Sequence, residues 1–124
     1  MNVKIKMSLA ENIARYGDAP VVLDIEEYIC GVVPAEIYES AAMDALKAQA
    51  VAARTHALKR ALAGTVIGDT SANQVYRVSL LESSPRSRQA VFETKGQVLC
   101  HEGQIIDCFY SASNSGVTKR SGDV

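Results

Sequence analysis

The run Asp24-Ile25-Glu26-Glu27-Tyr28-Ile29-Cys30-Gly31-Val32-Val33-Pro34-Ala35-Glu36 is followed by Ala45-Leu46-Lys47-Ala48-Gln49-Ala50-Val51-Ala52-Ala53-Arg54-Thr55. It sets one carboxylate, Glu36, ahead of a helical stretch that carries two cations. Lys47 and Arg54 are seven residues apart, about two turns and ~10.5 Å along one helix edge. A carboxylate can give and take a proton. Cations beside it can hold it in place or stabilise a departing oxyanion. The arrangement suits acid/base chemistry on a sugar polymer. The ordinary uses of the same residues are a first-turn glutamate facing a helix dipole and long cationic stems covering a helix edge. Lys59 and Arg60 fit the second use better, and Glu26, Glu27, Glu39 and Asp44 read as caps or surface charges.

These residues need elements to position them. Val3, Ile5 and Met7 alternate with Lys4, Lys6 and Ser8, the pattern of a strand with one wet face. Gly17-Asp18-Ala19-Pro20 breaks the chain, and Val21 to Leu23 can pair back as a second strand. Asp24 is placed to cap a short helix toward Cys30, with Glu27 at the capping-box position and Gly31 as its stop. Pro34 then fits the first turn of another short helix, which puts Glu36 in or near a first turn. From Ser40, the expected cap, to about Ala63, the apolar positions Met43, Leu46, Ala50, Ala53 and Ala57 recur at helical spacing in an alanine-rich segment that Gly64 ends. Gly68 to Asn73 reads as a loop and Gln74 to Ser79 as extended chain. Pro85 to about Lys95 reads as a helix with Gly96 beyond it. Gln97 to Cys100 and Gln104 to Ser111 form a hairpin around Glu102-Gly103. The fold class is therefore α+β, with a central alanine-rich helix on a small, mainly antiparallel sheet.

The chain has 124 residues, 48% of them hydrophobic. That is enough for one core and one domain spanning 1–124. A formal charge of -1 argues against a broad nucleic-acid-binding surface, which needs a basic field. No apolar run approaches the length of a membrane span. Met1 to Leu9 alternates apolar with polar residues instead of building the hydrophobic core of a signal peptide. Cys30, Cys100 and Cys108 make an odd count, so a disulfide scaffold is not expected. Cys100-His101 and Cys108 do not make up a zinc ligand set, and His56 is the only other histidine; it reads as a helix-face residue. Neither a metal nor another cofactor is expected.

The first run resembles the signature of the stage II sporulation protein D family, a group of peptidoglycan-cleaving lytic transglycosylases and amidase-enhancer proteins. Three further blocks resemble that family in the same order: Ile67-Gly68-Asp69-Thr70 with Gln74-Val75-Tyr76, Ala90 to Leu99, and Phe109 to Thr118. Together the blocks cover about residues 21 to 124, and four in order are far more specific than one short motif.

The resemblance implies that Glu36 is the catalytic acid/base. It implies functional importance for Lys47 and Arg54, and places Gln74, Tyr76, Ser113, Asn114 and Ser115 as sugar-contacting groups. The implied reaction is nonhydrolytic cleavage of the MurNAc–GlcNAc bond to leave 1,6-anhydroMurNAc ends. The alternative is a non-catalytic peptidoglycan-binding module that enhances a partner amidase. The expected partners are glycan strands and a cell-wall hydrolase, and the expected location faces the cell wall. Some relatives carry a His/Cys zinc cluster after the helix, and residues 69 to 81 contain neither type. Relatives usually continue past the segment matched by Ser121-Gly122-Asp123-Val124. The resemblance therefore implies a domain truncated at its C-terminal end, weak activity and a tendency to self-associate.

Overall fold

The computed structural model describes residues 1–70 and 74–106. Its regular elements are β1 (Asn2–Lys6), α1 (Ala10–Tyr16), β2 (Val21–Asp24), α2 (Ile25–Glu36), α3 (Met43–Leu62), β3 (Ile67–Gly68), a 3-10 turn (Val78–Leu80), α4 (Pro85–Glu93), β4 (Cys100–His101) and β5 (Gln104–Ile105). The architecture is α+β. None of the described helices is long and apolar enough to cross a membrane.

β1 is the middle strand of a three-stranded sheet in the order β2-β1-β3. Alternation along β1 buries Val3 and Ile5 and leaves Asn2, Lys4 and Lys6 in solvent, as a half-buried strand requires. β2 pairs antiparallel to it, from Asn2 opposite Asp24 to Ile5 opposite Val21. β3 pairs parallel, Ile5 opposite Ile67, so the sheet is mixed. That parallel partner falls partly in the stretch expected to be loop. Two residues are too short to show a period, and Ile67 joins β1 after the α2–α3 crossover.

The alanine-rich helix α3 is central. Leu46, Ala50, Ala53 and Ala57 are fully buried and Met43 packs at the edge of the same cluster. Small side chains let its neighbours approach closely, and it packs against α4, α2 and β1. Gly64, at φ 76°, ends it. The Thr65 N–H bonds the Arg60 carbonyl and the Gly64 N–H bonds the Ala61 carbonyl, the paired reach-back that satisfies a helix's last carbonyls. Its start differs from expectation. Ala42 holds the cap position without a side-chain bond, and Ser40 is exposed in the preceding loop. α1 was not expected at all. Seven residues offer a weak period, and its buried member is polar, Asn12.

The main correction concerns α2. It runs without a break from the Asp24 cap, whose carboxylate accepts the Glu26 and Glu27 N–H groups, through Gly31 and Pro34 to Glu36. Glu36 is thus a last-turn residue. Gly31 stays helical because its missing side chain makes room for Tyr76. A Cβ at position 31 would lie 2.5 Å from the Tyr76 ring, and that ring stacks on Tyr28 with centroids 5.3 Å apart. Pro34 removes the N–H that would bond the Cys30 carbonyl, but only two helical residues follow it. The adjacent Gly31 carbonyl accepts a bond from the Arg77 N–H at 3.1 Å.

The hairpin turns on Glu102 and Gly103, both at positive φ (53° and 80°), as a two-residue hairpin turn demands. Its ladder joins Cys100 to Ile105 and His101 to Gln104. The expected continuation of the second strand to Ser111, with Cys108, falls outside the described residues.

Gly31→Ala is expected to lower unfolding stability by about 1–3 kcal/mol in chemical denaturation, because the new methyl overpacks Tyr76. A net gain of the roughly 1 kcal/mol that alanine offers an open helix position would show that the ring does not press on this site.

Candidate functional site

Glu36 sits half-buried where α2 ends, and its Oε2 accepts the Val75 N–H at 2.9 Å. The segment that supplies this donor is braced along its length. Tyr76 N–H bonds the Asp69 carbonyl at 3.2 Å, and Arg77 N–H bonds Gly31 of α2. On the far side, the buried Asn12 amide donates to the Tyr76 carbonyl at 2.6 Å while its carbonyl accepts Val78 N–H at 2.9 Å. Asn12 is aimed by Asp69, which accepts from its amide at 2.8 Å and from Ser8 and Leu9 of the β1–α1 connection. Burial works against charge on Asp69. The bonds from Asn12, Ser8 and Leu9 outweigh it and hold the carboxyl below its ordinary value. Glu11 adds a clamp at the surface, with bonds from Ser79 and Arg77 that bring its carboxyl down to about 2.

Gln74 and Tyr76 are part of this bracing. Both are fully buried. The Gln74 amide donates to the Tyr28 hydroxyl at 3.2 Å and the Ala53 carbonyl at 3.5 Å, and the Tyr76 hydroxyl shares a 3.0 Å bond with that of Tyr16. Burial raises the pKa of both the Tyr28 and Tyr76 hydroxyls, which keeps them neutral. The Q-x-Y pair therefore flanks Val75 from inside the protein, with its functional groups turned to Tyr28, Ala53 and Tyr16.

The two cations of α3 differ in kind. Lys47 is partly exposed and pairs with Glu93 of α4 at 2.8 Å. Arg54 is buried, its side chain 2% exposed. Its Nε and one terminal nitrogen meet the two Glu26 oxygens at 2.9 and 2.7 Å, and its remaining donors reach the Val91 carbonyl, the Gln97 carbonyl and the Thr94 hydroxyl. Only the planar guanidinium fork can serve so many acceptors at once. Glu26, read from the sequence as a cap or surface charge, is the buried cation's counterion. Lys59 donates to the Ile105 carbonyl at 3.0 Å, and His56 is buried on α3.

Glu39, read from the sequence as a cap or surface charge, is a cap, but of a distant helix. Its carboxylate accepts Arg86 N–H at 2.6 Å, Ser87 N–H at 3.1 Å and the Ser87 hydroxyl at 2.6 Å, so it caps α4 from 47 residues away. Arg86 returns two bonds to the carbonyls of Glu39 and Ala41. Helix α4 thus meets an anion at its N-terminus and, through Arg54, a cation at its C-terminus, the arrangement its dipole favours. Residues 36 and 39 are three apart in the same sequence run, and no local pattern separates the one that faces Val75 from the one that faces α4.

Among the described residues, no group of three or more His, Cys, Asp and Glu side chains is placed to hold a metal ion. A groove of about 390 Å³ opens between α2 and α4, lined by Glu27, Cys30, Arg88 and Phe92. Burial raises the Cys30 thiol there to about 11, well away from the reactive thiolate range. Ser113, Asn114 and Ser115 lie outside the described residues.

The family model described as Stage II sporulation protein matches residues 18–101. Similar curated proteins include the amidase enhancer of Bacillus subtilis, 44% identical over 94 residues that cover 76% of this chain and 13% of that protein. An uncharacterized protein of Brachyspira hyodysenteriae is 34% identical, covering 88% of this chain and 32% of its own length. The stage II sporulation protein D of Bacillus subtilis is 29% identical, covering 80% and 34% respectively. The chain thus spans about a third or less of the length of each of these relatives.

Arg54→Ala is expected to cost about 3–5 kcal/mol of unfolding stability, since it strands the Glu26 charge and frees buried carbonyls. Lys47→Ala should leave the melting temperature nearly unchanged, because its ion pair is open to solvent. Equal melting temperatures for the two variants would remove Arg54 from its structural role.

Proposed function

Because the chain belongs to the Stage II sporulation protein family, we propose that it acts on peptidoglycan, as a lytic transglycosylase domain with Glu36 as its acid/base. The observation that carries this reading is the Glu36 carboxylate itself. One oxygen is fixed by a backbone N–H, the residue remains partly open, and the donor belongs to a segment braced from both sides. A proton-transferring group needs that kind of restraint to stay in reach of its target.

In the proposed reaction Glu36 begins protonated and gives its proton to the glycosidic oxygen as the bond from C1 of MurNAc breaks. Positive character develops on C1. The sugar's own C6 hydroxyl then attacks C1 to form the 1,6-anhydro ring, and its proton passes to the Glu36 carboxylate. The acid is restored and no water is consumed. Intramolecular attack has a large effective-molarity advantage, so one carboxylate suffices where hydrolases use two.

The other residues divide by reach. Arg54, Gln74 and Tyr76 are positioning residues in this reading, because they are buried and their donors are spent inside the frame that holds Val75 and α2. Lys47 is the cation open enough to meet a glycan, by exchanging Glu93 for an acetamido or lactyl oxygen. A chain working on peptidoglycan meets it outside the cytoplasmic membrane, so the proposed site of action faces the cell wall.

A second reading draws on the 44% identity to an amidase enhancer. Here the same surface binds glycan strands or a partner amidase without cutting. Mass spectrometry of glycan strands stripped of stem peptides separates the two. The transglycosylase reading expects anhydro termini from the parent chain and a rate lowered about a hundredfold or more in Glu36→Gln, which keeps the shape but cannot shuttle the proton. An unchanged rate in that variant would remove Glu36 from the chemistry. Glycan retention without products, together with faster turnover by an added amidase, would establish the enhancer.

A further inference from the structure

Tyr38 is the most exposed large hydrophobic side chain among the described residues, at 84%, with Phe92 next at 75%. Isolated exposed apolar side chains are ordinary. What sets Tyr38 apart is that it stands next to the Glu36 site on a firmly held loop. Ile37 takes extended geometry at the end of α2, with φ −144° and ψ 153°, and in extended chain successive side chains leave opposite sides. Ile37 accordingly packs against the core and sends Tyr38 into solvent. The Tyr38 carbonyl accepts Ala41 N–H at 3.0 Å, closing a turn. Glu39, the next residue, is locked onto the α4 N-terminus, and the Arg86 guanidinium grips the carbonyls of Glu39 and Ala41. The loop is fixed at both ends, yet it leaves its aromatic ring uncovered.

The Tyr38 backbone lies two residues beyond that of Glu36, about 7 Å along extended chain. A pyranose offers hydroxyls at its edges and C–H groups on its faces, and the electron-rich face of an aromatic ring attracts such C–H groups. A tyrosine held by its backbone has only two side-chain torsions left to order on binding. We propose that Tyr38 is the sugar-stacking platform of the Glu36 site, receiving the C–H face of a glycan residue next to the bond to be cut. The proposal rests on the glycan reading above and adds the residue that would orient the strand over the carboxylate.

The chain contains no tryptophan, so Tyr38→Trp places its single indole on the platform. The probe is a soluble oligosaccharide of alternating N-acetylglucosamine and N-acetylmuramic acid, added to proteins that also carry Glu36→Gln to prevent turnover. Indole emission should shift to the blue saturably. Tyr38→Ala should raise the Kd roughly tenfold, the scale of one aromatic contact. Tyr38→Phe should bind like its Glu36→Gln parent, because the ring face and not the hydroxyl makes the contact. Phe92→Ala, on the α4 groove, should also bind like the parent. Parental affinity in Tyr38→Ala, an indole that stays unshifted at saturation, or an equal loss in Phe92→Ala would each overturn the platform while leaving the glycan reading in place. Failure of the parent itself to bind the oligosaccharide would overturn both.

Discussion

The fold depends on one buried ion pair. Arg54 rises from the middle of α3 into a space where α2 supplies Glu26, and the end of α4 and the segment after it supply backbone carbonyls. Taking a guanidinium out of water is costly unless its donors find partners. Here the partners come from three separate stretches, so the cation is satisfied only when α2, α3 and α4 are all docked. Hydrophobic burial by Leu46, Ala50, Ala53 and Ala57 brings the helices together. The Arg54 network gives that packing its register.

The same logic, polar groups satisfied only in one arrangement, continues toward Glu36. Tyr76 fits against α2 because Gly31 has no side chain, and it is held there by the Tyr28 stack and the Tyr16 hydroxyl. Asn12 and Asp69 fix the backbone on either side. Val75 has little freedom left, and its N–H points at the carboxylate at the end of α2. The chemistry proposed for Glu36 thus rests on a polar frame in which none of the bracing side chains needs to touch substrate.

Much of this was legible in the sequence where the signal is local. Alternation showed β1, helical spacing of small apolar residues showed α3, Asp24 the start of α2, Pro85 the start of α4, and Glu102-Gly103 the hairpin turn. What could not be read was local sequence with a distant cause. Gly31 looks like a helix stop, and only a ring 45 residues further on explains why it lies inside α2. Glu39 and Glu36 are equivalent by pattern, yet one caps α4 and the other meets Val75. Arg54 and Lys47 share a helix edge and a charge, and burial alone separates a structural cation from an accessible one. The family resemblance implied that Gln74 and Tyr76 face sugar, a role that amides and hydroxyls suit. The same groups equally suit one another inside a core.

The central claim is that this frame fixes the Glu36 carboxylate through the Val75 amide, and native-state hydrogen exchange measures that bond directly. The account predicts that the Val75 amide is protected in the parent chain and loses protection in Glu36→Ala. The Arg77 amide, bonded to Gly31 instead, should stay protected in both and report that the frame is intact. A Val75 amide that exchanges freely in the parent, or that keeps its protection when Glu36 is removed, would contradict it.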